Sequence, residues 1–335
     1  MQFRLELQVK PFKHQLKVGD HVMLVGSCFT DHIGKRLKQY RFNVCENPNG
    51  ILFNPVSISN AIESYIQKKK YTESDLFYYN ELWQSWDHHS DYSYTKAEKT
   101  LDAINSSIEA AHEHLLNADF LILTLGSAFL YKLNSDEYNS TVGNVAANCH
   151  KIPQKHFNHV LATYEELKLS MTGLISRLRT FNPQLQLIFT ISPVRHFREG
   201  LVENNRSKAL LHSLVAEMES AYDFVQYFPS YELIIDDLRD YRFYAEDMVH
   251  PNHQATQYVW EKFTQAVIAE SDHELLKQLH TLFLAINHKP MHPDTALHLK
   301  FLHTMHRKAV DLQQQYPELN LEPEIRFFEE AKTQH

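Results

Sequence analysis

Two short stretches hold side chains whose types suit acyl chemistry. The first is Gly26-Ser27-Cys28-Phe29, where the apolar run His21–Gly26 stops at a hydroxyl and a thiol. The second is Asp247-Met-Val-His250-Pro251, far along the chain. A serine hydroxyl becomes a nucleophile when a histidine takes its proton and a carboxylate orients that histidine. Asp247 and His250 are three residues apart, so one loop can bring the carboxylate to an imidazole nitrogen. Serine is also a favoured helix N-cap, and Ser27 precedes a stretch of helical spacing, so a capping role competes with the chemical one. The two roles are compatible, because a helix N-terminus stabilises an adjacent oxyanion. Cys28 reads as a small buried residue rather than a second nucleophile.

Other polar residues stand where a ligand would lie. Cys149 and His150 are neighbours in sequence, and adjacent side chains rarely face each other as a dyad, so a substrate-lining or structural role is expected. Arg195 and His196 follow a strand-like run and suit an acidic or hydroxylated ligand, with a rim salt bridge as the competing role for Arg195. The 22 histidines raise a metal site. His88-His89 beside Asp87 and Asp91, with His156-x-x-His159, offer imidazole and carboxylate ligands, yet neither segment carries a zinc signature such as H-E-x-x-H. His298, His303 and His306 read as solvated helix residues. No metal and no cofactor is expected. Trp83, Trp86 and the tyrosines of Leu82–Tyr94 suit a sugar-stacking surface or an ordinary hydrophobic insertion.

These residues need elements to position them. Strands are expected over His21–Gly26, Phe42–Glu46, Asp119–Leu125, Gln186–Ile191 and Phe224–Phe228. Helical periodicity separates them, over Phe29–Tyr40, Ser57–Lys68, Lys96–Asn117, Thr163–Thr180 and Asn205–Tyr222. Thr163-x-x-Glu166 opens one helix as a capping box. Pro251 precedes a further helix with Ala255, Tyr258, Val259 and Phe263 on its buried face. Strands alternating with helices imply a mostly parallel sheet covered on both faces. Ligands in such folds sit beyond the carboxyl ends of the strands. Ser27, Gly126 and Ser192 all end strands there. Residues 271–335 read as three helices, broken near His288-Lys289-Pro290 and Tyr316-Pro317. Leu275, Leu276, Leu279, Leu282 and Phe283 need a surface to cover, either as a cap on the sheet domain or as an oligomer contact. Residues 1–270 are thus expected to form the α/β domain and 271–335 a C-terminal helical extension.

The 335 residues are 43% hydrophobic and 12% aromatic, enough for a sizeable core. The net charge of −8 argues against a general nucleic-acid surface. Lys68-Lys69-Lys70 is the one basic run, expected at a helix end. The N-terminus lacks the apolar core of a signal peptide, and no run approaches the roughly 18 apolar residues of a membrane span. Three cysteines without paired spacing make a disulfide framework unexpected. A cytoplasmic protein that binds neither membrane nor nucleic acid is expected.

Gly26–Phe29 is the tetrapeptide that names the GSCFA family, which this sequence resembles. Further blocks are similar to that family: Asn49-Gly50-Ile-Leu-Phe53-Asn54-Pro55, Leu125-Gly126-Ser127, Asn148-Cys149-His150-Lys151, Ser192-Pro193-Val194-Arg195-His196 and Asp247–Pro251. The resemblance covers roughly residues 20 to 265 and leaves the C-terminal helices outside. It implies the flavodoxin-like three-layer fold of SGNH (GDSL-like) hydrolases, with a serine nucleophile in the first block and D-x-x-H in the last. Ser27, Asp247 and His250 match those positions.

Two departures stand out. Gly26 directly precedes Ser27, where the superfamily has G-D-S. The G-x-N block that supplies an oxyanion-hole asparagine reads Gly126-Ser127-Ala128. Backbone N–H groups of Ser27 and of Gly50 or Gly126 are candidate donors, and Asn54 or Asn148 can replace the missing amide. His150 and Arg195 complete the expected substrate-binding set. The expected activity is a serine esterase that removes or transfers a small acyl group on a carbohydrate or related hydroxylated substrate. A ligand-binding protein that keeps the fold without turnover is the alternative. For the C-terminal helices, a homo-oligomer contact stands beside the cap as the second expectation.

Overall fold

A computed structural model describes residues 5–195 and 197–333, so His196 lies outside the described residues. In chain order the strands are β1 (His21–Gly26), β2 (Asn43–Glu46), β3 (Phe77–Tyr79), β4 (Leu82–Gln84), β5 (Phe120–Leu125), β6 (Phe129–Leu133), β7 (Val145–Ala146), β8 (Phe157–Leu161), β9 (Gln186–Ile191) and β10 (Val225–Phe228). The main sheet runs β10-β9-β5-β1-β2 with every neighbouring pair parallel. Counting its strands alone, the order is 2-1-3-4-5, the flavodoxin-like arrangement. Its direction of winding reverses between β1 and β5, which is where such sheets open a crevice.

Alternation along the strands sorts side chains to two cores. Met23, Val25, Leu121, Leu123, Leu187 and Phe189 face one core, while Val22, Leu24, Phe120, Ile122 and Ile188 face the other. The helices are α1 (Phe29–Gln39), α2 (Pro55–Ile66), α3 (Ala97–Leu116), α4 (Tyr164–Phe181), α5 (Leu201–Ala221), a short α6 (Ser230–Glu232), α7 (His253–Val267), α8 (His273–Ile286), α9 (Ala296–Gln315) and α10 (Glu322–Thr333). Buried faces of α2 to α5 fill the first core, and those of α1 and α7 fill the second. The five expected sheet strands and five connecting helices are all present, each within a few residues of its expected bounds.

The C-terminal helices cover the sheet domain. Leu275, Leu276, Leu279 and Leu282 of α8 are buried in the same core as α1 and α7. Each buried leucine contributes about 1.5–3 kcal/mol by leaving water, so these four hold the extension firmly against the α/β layer. Leu302, Leu312 and Phe328 extend that core outward through α9 and α10.

Residues 71–161 hold strands absent from the sequence-based expectation. β3 pairs with β4, and β6 pairs antiparallel with both β7 and β8. Around them Phe77, Trp86, Leu133, Ile152 and Phe157 form a small core of their own. The aromatic run at Leu82–Tyr94 is thus largely an insertion core, with Trp86 stacked on Phe77 at 4.2 Å between ring centres. Thr163 caps α4 by accepting the Glu166 N–H at 3.2 Å. The return half of the expected capping box is replaced by an ion pair from Glu166 to Lys132 at 2.7 Å. Among the described residues, no helix is long and apolar enough to cross a membrane.

Candidate active site

Ser27 is set where β1 meets β5, at the reversal of strand order. Its N–H donates to the Thr124 carbonyl at 3.1 Å, and its own carbonyl accepts the Thr30 N–H as α1 begins. The preceding Gly26 has φ +151°, and a Cβ built there collides with the Thr124 carbonyl and would stand 2.8 Å from the Thr124 nitrogen. Only glycine fits. Nothing with a side chain, including the aspartate of a G-D-S block, is compatible with this backbone at position 26.

The Ser27 hydroxyl does not cap α1. Cys28 occupies the N-cap position, and no side-chain capping bond forms. The Ser27 Oγ is fully buried and has no hydrogen-bond partner among the described residues. A buried hydroxyl without a partner costs folding free energy, and the hydroxyls of its neighbours Thr30 and Thr124 share that condition. The loop after β2 closes over it. Leu52 donates to the Gly26 carbonyl at 3.0 Å, and Gly126 and Ser127 donate to the Phe53 carbonyl at 2.8 and 2.9 Å.

Asp247 and His250 form the expected pair. His250 Nδ1 stands 2.6 Å from Asp247 Oδ2, and Asp247 Oδ1 accepts the backbone N–H groups of Val249 and His250 at 2.9 and 3.0 Å. Met248, between them, takes a left-handed φ of +58° that bends the loop back. The His250 backbone N–H, then its ring, then the Val249 N–H hold the Asp247 carboxyl down at about 2. An ionised Asp247 makes Nδ1 the protonated nitrogen and leaves the Nε2 lone pair free to accept a proton. Both side chains are 48% exposed, and no hydrogen bond joins His250 to Ser27. Arg195 ties this loop to the end of β9 through its N–H to the Val249 carbonyl at 3.4 Å.

The expected backbone donors are already engaged. Ser27 N–H serves Thr124, Gly50 N–H serves the Asn47 carbonyl at 2.7 Å, and Gly126 N–H serves Phe53. Two side-chain amides remain. Asn54 Oδ1 caps α2 by accepting the Ser57 N–H at 2.8 Å, and Asn148 Oδ1 accepts the His150 N–H at 2.8 Å. Each thereby presents an Nδ2 group with no hydrogen-bond acceptor among the described residues. Both line a cavity of about 400 Å³ with Ser127, Tyr131, Arg195 and Val249. Ser27 and His250 are not among its lining residues.

His150, expected at the site, sits elsewhere. It is buried in the insertion core with Nε2 2.8 Å from the Ser85 carbonyl, and burial lowers its pKa to about 4. Cys149 lines the cavity, its thiol pushed up to about 12 by burial. The histidines considered as metal ligands are also distributed among local contacts. His88 is buried with Nδ1 3.0 Å from Ser85 Oγ, and His159 stacks on Tyr131 at 4.1 Å.

Helix α5 contributes residues that sequence reading passed over. Asn204, Ser207 and Lys208 are buried on the stripe that continues into Leu211, Leu214 and Val215. Ser207 Oγ accepts the Ala128 N–H at 2.7 Å. Lys208 Nζ donates to the Gly126 and Ser192 carbonyls at 2.7 and 2.6 Å. The available signal was polar residues at helical spacing i, i+3, i+4 directly ahead of apolar ones on the same face.

With this geometry in place, the sequence matches the GSCFA family over residues 21–263. The chain belongs to the GSCFA family. Residues 280–333 match a second description, the GSCFA domain protein C-terminal domain, so the family likeness extends into the helices that the motif resemblance had left outside. No curated protein matches the sequence. Among solved structures, an acetyl xylan esterase from the rumen bacterium Butyrivibrio proteoclasticus is similar at 11% identity with a TM-score of 0.36. The match covers 81% of this GSCFA chain and 65% of that esterase.

Proposed function

We propose that the protein is a serine acyl hydrolase acting on esters, with Ser27 as nucleophile, His250 as base and Asp247 as its orienting carboxylate. One observation carries this reading: a partnerless buried serine follows β1 at the sheet's reversal point beside the central strand β5, while the late loop forms a carboxylate–imidazole pair at 2.6 Å. In the reaction, His250 Nε2 takes the Ser27 proton as Oγ attacks the acyl carbonyl. The ionised Asp247 stabilises the imidazolium. Asn54 or Asn148 donates to the oxyanion. His250 then returns the proton to the leaving alcohol, and water, or a second alcohol, releases the acyl group. The cavity beside Asn54 and Asn148 is walled by Phe53, Phe129 and Tyr131, which suits a small acyl group carried on a sugar or similar hydroxylated body.

Catalysis requires Oγ to be uncovered and His250 to close on it. Catalytic hydrogen bonds that are long or absent without substrate commonly tighten when it binds. The experiment is hydrolysis of a panel of acetylated sugars and simple acetyl esters, comparing the natural protein with Ser27→Ala. Release of acetate by the natural protein and its loss in Ser27→Ala are expected. Equal rates would end the serine mechanism.

A second reading rests on the sealed hydroxyl and the engaged backbone donors. In it, the cavity binds a ligand without turnover. Saturable binding of an acetylated sugar with no acetate released over hours would favour it.

A further inference from the structure

Lys208 is the least expected group in the molecule. It is 2% exposed on the buried face of α5. Two of its three N–H donors go to main-chain carbonyls, Gly126 at the end of β5 and Ser192 at the end of β9. No carboxylate stands within ion-pair distance of it among the described residues. Burying an unpaired cation is expensive, and a neutral glutamine or methionine would fill much of the same space. The place of the cation is what distinguishes it. Gly126 packs directly on Ser27, since a Cβ built on Gly126 would lie 3.2 Å from the Ser27 Cβ. Lys208 and Cys28 also act on each other electrostatically. The charge is therefore held just behind the end of β1, on the protein side of the proposed nucleophile.

We propose that Lys208 is a positioning residue of the serine site, bracing the ends of β5 and β9 beside Ser27 and supplying the positive potential in which the oxyanion develops. The inference rests on the serine-hydrolase reading above. Preorganised positive potential in a water-poor site is worth more to a developing oxyanion than the same charge in water. It also compensates for backbone donors at Ser27, Gly50 and Gly126 that serve other carbonyls.

The protonation state follows from the surroundings. Burial lowers the Lys208 pKa to about 7, with Cys28 acting the other way. The facing groups are the Cys28 thiol at the N-cap of α1, His212 one turn along α5, the Tyr231 ring at 5.9 Å, and Arg195, which with Lys208 lines a second cavity of about 430 Å³. Glu232 and Asp236 act on His212 and Tyr231 from beyond. Lys208 is thus charged below about pH 7 and neutral above it. Activity is therefore expected to fall as pH rises through the Lys208 limb. Stability responds separately: the unfolded lysine binds its proton at about pH 10.4, so Lys208 makes the fold less stable as pH drops from there to about 7.

The test is the rate of Ser27 phosphonylation by a fluorophosphonate between pH 5 and 10, in the natural protein, Lys208→Met and Lys208→Arg, each checked for folding by thermal melting. The natural protein is expected to slow above pH 7. Lys208→Met should be slower by about 10²-fold at pH 6.5 and lack the alkaline fall. Lys208→Arg should keep its rate to higher pH. A Lys208→Met profile that overlays the natural one overturns the inference and leaves the serine mechanism standing. Absence of phosphonylation in the natural protein at every pH overturns both. If the variants do not fold, ¹⁵N NMR of the lysine side chains reads the charge directly. One lysine with a midpoint near 7 is expected, and all of them titrating near 10 overturns the inference.

Discussion

His250→Ala is expected to lower ester turnover by about 10⁴-fold or more, with the protein still folded. His250 is half exposed, its ring bonds only to Asp247 among the described residues, and its loss opens no cavity in either core. A loss of that size in kcat with an unchanged melting temperature therefore reports chemistry rather than unfolding. Asp247→Asn should lose a comparable factor for a different reason. An amide in place of the ionised carboxylate no longer selects the Nδ1-protonated tautomer, so Nε2 ceases to be the base. The pair should be strongly non-additive, the double variant being little worse than His250→Ala alone. Steady-state kinetics on one ester substrate checks all three. Additive losses would mean that the two residues act separately.

The largest effect on stability is expected from Gly26→Ala, about 3 kcal/mol or more. Two costs combine there: a φ of +151° that alanine adopts poorly, and a collision with the Thr124 backbone, which cannot swing aside as a side chain can. Relief would require β1 to separate from β5 in the middle of the sheet, next to Ser27. Gly143→Ala is the matched control. Gly143 also has positive φ, at +90°, but a Cβ there meets nothing within 4 Å, so its cost should be about 1 kcal/mol. Urea unfolding of the two variants compares them. Equal destabilisation would show that backbone conformation alone, not the packing of β1 on β5, demands glycine at position 26.

How much of this was legible in the sequence depended on the type of signal. Runs such as FLILTL and QLIFTI are buried on both faces in a parallel sheet, and their apolar character is continuous, so the strands and the helices between them stood out. Asp247 and His250 were legible because their geometry is local to one loop. The C-terminal helices were legible from their leucines, though not what those leucines cover, since that surface joins the neighbouring α7 to α1, more than two hundred residues earlier in the chain. The insertion strands β6 to β8 were hidden. They mix Tyr131, Lys132, Asn158 and His159 with apolar residues and pair over long separations. The oxyanion donors were misjudged at Gly50 and Gly126 because a sequence does not show which N–H groups the backbone has already used. His150 was misplaced for a related reason: adjacency to Cys149 says nothing about which side of the insertion each side chain faces. Lys208 was invisible because a lysine in a helix reads as solvent-facing unless the turn around it is known to be buried.

The most direct test of the central claim is the mass of the intact protein after treatment with a fluorophosphonate, followed by peptide mapping. One adduct is expected, on Ser27, formed by the natural protein and not by His250→Ala. The neighbouring Cys28, whose thiol burial keeps protonated, should stay unmodified. A well-folded natural protein that gains no adduct, or gains it on a residue other than Ser27, would contradict Ser27 as the activated nucleophile.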